Sequence, residues 1–181
     1  MGWTTTKLIT AGAIGVLTFL SILPGLAISY TTHVPGSSLL VGGFTGPMFV
    51  VINIFLLKKF GAATVALLVL GFVSFPFLGG NMPLLAAFVG TGIGLDAIYL
   101  LIKNETKVAA ALLGSLSLLL VALFALPLYM LFIPSLAALY LLVLHILLPV
   151  MAIQGAVAGL LGRLVYFRIQ KTSVVRRIQG G

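Results

Sequence analysis

Six apolar runs, each near the length needed to cross a bilayer, leave this chain very few folds. They are roughly Leu8 to Tyr30, Leu39 to Leu57, Ala62 to Leu78, Leu84 to Ile102, Val108 to Ile133 and Leu136 to Phe167. About 20 apolar residues carry a helix across the hydrocarbon core, so each run reads as a spanning helix. The sixth is longer than one span and must tilt or continue into water. The connections are short: Thr31 to Ser38, Lys58 to Gly61, Gly79 to Pro83, Lys103 to Lys107 and Pro134 to Ser135. They leave no room for a separate soluble domain. The expected architecture is all-α, a compact bundle of six transmembrane helices over residues 1–181, with a basic tail over 168–181.

Composition agrees. Only 7% of residues are charged and 61% are hydrophobic, against roughly a quarter charged in a soluble domain. The net charge of +8 comes from ten Lys and Arg against Asp96 and Glu105. The basic residues border the apolar runs: Lys7, Lys58, Lys59, Lys103, Lys107, Arg163, Arg168, Lys171, Arg176 and Arg177. They read as orientation signals and headgroup contacts rather than a nucleic-acid surface. All fall on one side, so the positive-inside rule expects both termini in the cytoplasm of a multi-pass cell-membrane protein. The other side carries His33, Gly36, Ser37, Asn81 and Ser135. The first run shows no convincing cleavage site and is expected to be retained. With no cysteine, disulfides, thiolate metal sites and cysteine nucleophiles are excluded. Asn104-Glu105-Thr106 matches a glycosylation pattern but falls on the cytoplasmic side.

Helix breakers gather towards the outer half: Pro24-Gly25, Gly42-Gly43, Gly46-Pro47, Pro76 and Pro127, with Pro149 in the sixth run. Freed backbone groups in a membrane must face protein or a wet cavity. Each proline alone reads first as a kink. Their clustering suggests a cavity open to the outside. No internal repeat aligns the first three runs with the last three.

Few residues inside the runs can carry chemistry. Asp96 lies about 13 residues below Pro83, about 20 Å deep at 1.5 Å per residue, with Gly92 and Tyr99 on its face. A carboxylate at that depth must face a polar interior or a partner. It reads either as a ligand contact at a cavity floor or as an interhelical tie, to Gln154 or to a lysine. His145 lies about 14 Å deep in the sixth run by the same rise. It reads as a contact for an anionic or heteroaromatic ligand, a proton shuttle, or a helix-packing bond. Asn53 and Gln154 read first as packing bonds and second as ligand contacts. His33 and Asn81 sit in outer loops, and Tyr140 either lines an outer cavity or anchors at the interface. Two histidines and one buried carboxylate do not support a metal site. No nucleophile elbow, carboxylate pair, phosphate-binding glycine loop or cofactor ligand set appears, so no enzyme and no cofactor are expected. Small residues spaced by four, Ala11 and Gly15, Gly90 and Gly94, Gly155 and Gly159 with Ala158 and Gly162, mark close helix approaches or a face for a partner.

Several segments resemble the substrate-binding membrane subunit, or S component, of energy-coupling factor transporters. GSSLLVGGFTGPMFVVINIFLLKKFGAATVALLVLGFVSFPF is similar to that family's glycine-rich second helix, basic turn and third helix. NMPLLAAFVGTGIGLDAIYLLIK resembles its fourth helix with one acidic residue, and LLPVMAIQGAVAGLLGRLVYFRI its basic-ended last helix. The family's Ala-xxx-Ala docking patch has its nearest match at Ala11 and Gly15, with glycine in the second place. The resemblance implies a non-enzymatic subunit that captures a vitamin or similar small nutrient from outside. It docks on a transmembrane coupling protein driven by ATPase subunits. Thr31 to Ser38 would be a short lid, and Asn53, Asp96, His145 and Tyr140 candidate contacts. The family's pocket lies in the outer half, which favours His145 over the deeper Asp96. Two other readings compete: a non-catalytic structural subunit of a larger respiratory or oxidase complex, and a self-contained carrier using Asp96 and His145 as relay groups.

Overall fold

The computed structural model describes residues 3–32 and 37–180, with a few side chains inside the helices left undescribed. The described chain is all-helical and holds no strand. Seven α-helices follow in order: α1 Thr5–Thr32, α2 Ser37–Leu57, α3 Ala62–Ser74, α4 Met82–Ile102, α5 Lys107–Phe132, α6 Pro134–Ile169 and α7 Ser173–Gly180, with a 3-10 turn at Pro76–Leu78. Four stretches, Thr5–Ile28, Met82–Ile102, Lys107–Phe132 and Leu144–Ile169, are long and apolar enough to cross a membrane.

The helices pack in a closed ring. α1 contacts α2 and α3, α3 contacts α4, α4 contacts α5, α5 contacts α6, and α6 returns to α2. α2 also reaches α3, α5 and α7, and every residue from 50 to 57 is buried. The second half of α2 is therefore an internal post rather than one stave of a barrel. Its run of apolar residues on all sides is what such a position requires.

Glycine sets the closest approaches. A Cβ at Gly159 would strike the Ala110 carbonyl, and one at Gly114 or Gly155 would enter the opposite backbone, so α5 and α6 meet nearly backbone to backbone. Ser115 ties the same pair by donating to the Ala152 carbonyl at 2.7 Å. Gly162 lets α6 rest against the Met48 carbonyl, and Gly92 lets α4 rest against Thr64. With lipid or lipid-like surroundings outside, close van der Waals packing of this kind is what holds helices together.

One expectation about the runs needs correction. Ala62 to Leu78 is not one helix: α3 stops at Ser74, just before Pro76, which brings no N–H to continue the ladder and opens a 3-10 turn instead. Thirteen residues make a helix only about 20 Å long. Pro24, Pro47, Pro127 and Pro149 all lie inside continuous helices, in keeping with the kink reading of each proline. In addition, the basic tail is partly helical. It folds back as α7, burying Val175, while Gln179 donates to the Leu56 carbonyl at 3.2 Å and meets the Tyr166 hydroxyl at 3.3 Å.

Candidate functional site

The two ends of the bundle differ in polarity. At the basic end lie the start of α1, the α2–α3 and α4–α5 turns, and the α6–α7 junction. At the far end lie the α3–α4 turn and the close of α5.

Asp96 points from α4 towards the basic end and is 1% exposed. Its carboxylate accepts the Ala63 N–H at 3.0 Å, the Thr64 N–H at 2.9 Å and the Thr64 hydroxyl at 2.6 Å. A helix start leaves its first N–H groups without intrahelical partners and carries a partial positive charge. Asp96 supplies both the acceptors and the complementary charge for α3. The cap comes from another helix because α3 has no side-chain cap of its own: Gly61 stands at that position with φ 94°. Asn53, in the buried half of α2, adds the next contact by donating to the Ala62 carbonyl at 2.7 Å. Both residues thus meet on the first turn of α3. The partner of Asp96 is backbone and a threonine, not the Gln154 or lysine expected. Gln154 instead packs over Gly43 of α2, where a Cβ would lie 2.5 Å from its amide.

The other candidates do not converge on this point. His145 is exposed on the outer side of α6, away from the bundle interior. Asn81 caps α4 by accepting the Leu84 N–H at 3.1 Å and donates to the Tyr129 hydroxyl at 3.0 Å. His33 and the centre of the expected lid lie outside the described residues, as does the Tyr140 side chain. Ala11 is fully buried, and Gly15 abuts the Ala66 carbonyl and Val69 of α3. Gly15 of this small-residue spacing therefore lies against the chain's own third helix, which is the close-approach reading of the spacing.

Two hollows open at the surface. The larger, at the far end, has a volume of about 610 Å³ and lies between the 3-10 turn, the start of α4 and the end of α5. Leu78, Met82, Leu85, Leu128 and Phe132 make its walls apolar, and Asn81 brings an amide. Gly79 and Gly80, at φ 65° and 73°, shape its rim. The smaller, about 250 Å³, lies at the basic end among Lys58, Phe60, Tyr99, Leu100 and Lys103. Neither hollow is lined by Asp96, Asn53 or His145. No group of three or more His, Cys, Asp or Glu side chains gathers among the described residues.

The basic end holds a network that sequence reading missed. Glu105 pairs with Lys58 at 2.5 Å, and the Glu105 carbonyl accepts from Arg163 Nε at 2.6 Å. The Arg163 guanidinium lies 4.4 Å from the centre of the Phe167 ring, a cation–π distance. Trp3 Nε1 donates to the Phe60 carbonyl at 3.1 Å. Partial burial works against the Lys58 charge, but the Glu105 carboxylate and the Tyr166 hydroxyl outweigh it and hold the ammonium above the ordinary lysine range. The one available signal was a single acid, Glu105, flanked by Lys103 and Lys107.

No family model matches the chain, and neither a curated protein nor a solved structure shows significant similarity to it.

Proposed function

We propose that the chain is a membrane-embedded, non-enzymatic substrate-binding subunit of a nutrient-uptake transporter of the energy-coupling factor type. In this reading six helical passes place both termini in the cytoplasm of a cell-membrane protein, with the short α3 extended by its 3-10 turn. The far end faces outward and captures a small nutrient. Transport energy comes from a transmembrane coupling subunit with ATPase partners. The observation that carries the reading is the 610 Å³ hollow at the uncharged end, a volume in the range of small-molecule sites. Its apolar walls and single amide fit a compact, largely apolar or heteroaromatic molecule, with Asn81 and Phe132 as contacts in place of Asp96 and Asn53.

The test is purification in mild detergent followed by mass spectrometry of bound small molecules and partner chains. A retained nutrient-sized molecule that disappears in Ala86→Trp, which fills the hollow from α4, supports the reading. Retention of the same molecule by Ala86→Trp, or its absence from the native protein, overturns it.

The burial of Asp96 and Asn53 as ties to α3 favours a second reading, a structural subunit of a larger membrane complex. That reading expects redox partner chains in the same preparation and no small molecule.

A further inference from the structure

Lys58 and Lys103 share an uncommon backbone state. Each follows the last residue of a helix, α2 and α4, and each has a left-handed φ, 50° and 49°. Glycine is the usual residue there because a Cβ strains that conformation. The chain does use glycine at its other described left-handed positions, Gly61, Gly79 and Gly80. At these two turns it keeps a long cation instead. Both cations flank the same 250 Å³ notch, whose floor and wall are Phe60, Tyr99 and Leu100.

The cations around the notch are only partly balanced from within. Glu105 is engaged by Lys58, and Asp96 is sealed against α3. These are the only two acids in the chain, so neither answers Lys103. Beside the cations the surface turns apolar at once: Phe60 is 51% exposed and Leu101, next along α4, is 87% exposed. A molecule matching this sequence of surfaces carries an anionic head and an apolar tail.

The geometry points to a binding site for one anionic phospholipid, its phosphate held between Lys58 and Lys103 and its acyl chain running along Leu100 and Leu101. The inference requires only that the basic end meets a membrane surface. It does not depend on any substrate at the far end.

The test uses the full chain in nanodiscs of phosphatidylcholine with and without phosphatidylglycerol, followed by native mass spectrometry of retained lipid. At about a fivefold effect for each basic residue near a lipid surface, Lys103→Gly lowers phosphatidylglycerol retention about fivefold. The double change Lys58→Gly with Lys103→Gly lowers it roughly 30-fold. Because glycine relieves the left-handed strain, thermal stability in pure phosphatidylcholine holds or rises in both variants. A control on the same edge, Arg168→Gln with Lys171→Gln, leaves retention within twofold. Three results overturn the site: unchanged retention in the double glycine variant, an equal loss in the control, or full displacement by free glycerol phosphate.

Discussion

The basic end and the far end solve the same problem, closing helix termini, with different materials. At the basic end the first turn of α3 is capped by Asp96 from α4 and held by Asn53 from α2, which donates to the Ala62 carbonyl, and the turn before it is covered by Trp3 from the start of α1. Glu105, in the α4–α5 turn, then ties Lys58 of the α2–α3 turn to Arg163 of α6. Helices distant in sequence thereby hold one another's ends. At the far end Asn81 caps its own helix, α4, and reaches only one neighbour, Tyr129. Where more helices share the ties, the surface notch is small, about 250 Å³. Where fewer do, the hollow is about 610 Å³.

The largest expected effect is at the basic end. Asp96→Ala strands two backbone N–H groups and a hydroxyl in the interior, which costs about 3 kcal/mol or more. Thermal unfolding in a fixed detergent should show it clearly, and an unchanged midpoint would break the contrast. Next comes Gly159→Val, whose branched side chain must displace the Ala110 carbonyl at the α5–α6 crossing. It is expected to cost about 3 kcal/mol. Gly46→Ala is its counterpart, since a Cβ there meets nothing within 4 Å. Removing a mid-helix glycine should leave stability unchanged or raise it by about 0.5–1 kcal/mol. Equal losses from the two changes would contradict the close approach. At the far end Asn81→Ala loses one cap and the bond to the Tyr129 hydroxyl and should cost about 1–2 kcal/mol. A penalty as large as that of Asp96→Ala would erase the difference between the ends.

The smallest effect belongs to the surface pair. Glu105→Gln should cost about 0.5 kcal/mol or less, and less still at high salt. The Lys58 ammonium is held above its ordinary range. Its contribution is therefore fully present below the ordinary lysine value and fades as alkaline pH passes through the raised one. A pH titration of stability in Glu105→Gln should lose that alkaline decline. Its persistence would assign the raised value to Tyr166 alone.

That the apolar runs form helices was legible, and four of them are long and apolar enough to cross a membrane, because a long apolar stretch depends on no tertiary partner. The end of α3 was misread, since a run of apolar letters through Pro76 looks the same whether the helix continues or stops. Asp96 could be singled out by the cost of a carboxylate at depth. Its role could not, because its partners are backbone N–H groups exposed only when α3 begins at Ala62 beside Gly92. The Ala11–Gly15 spacing signalled a close approach correctly but not which helix makes it. His145 was given an inward role from depth alone, and depth does not fix which way a side chain faces. α7 escaped notice because eight residues with four polar or basic side chains show their apolar side only once Val175 has something to cover. The left-handed lysines were invisible, since nothing in the letters Lys58 or Lys103 reports φ.

The enclosure of residues 50–57 has a consequence for biogenesis. α2 is made early, yet the surfaces that cover it include Gly162 and Tyr166 of α6, which leave the ribosome more than 100 residues later. Until then a post bearing Asn53 must wait half-clothed, with its neighbours arriving out of order. Chains cut off before Pro134 should leave that post uncovered even though α1 to α5 are already made. α6 is the keystone that closes the bundle around it.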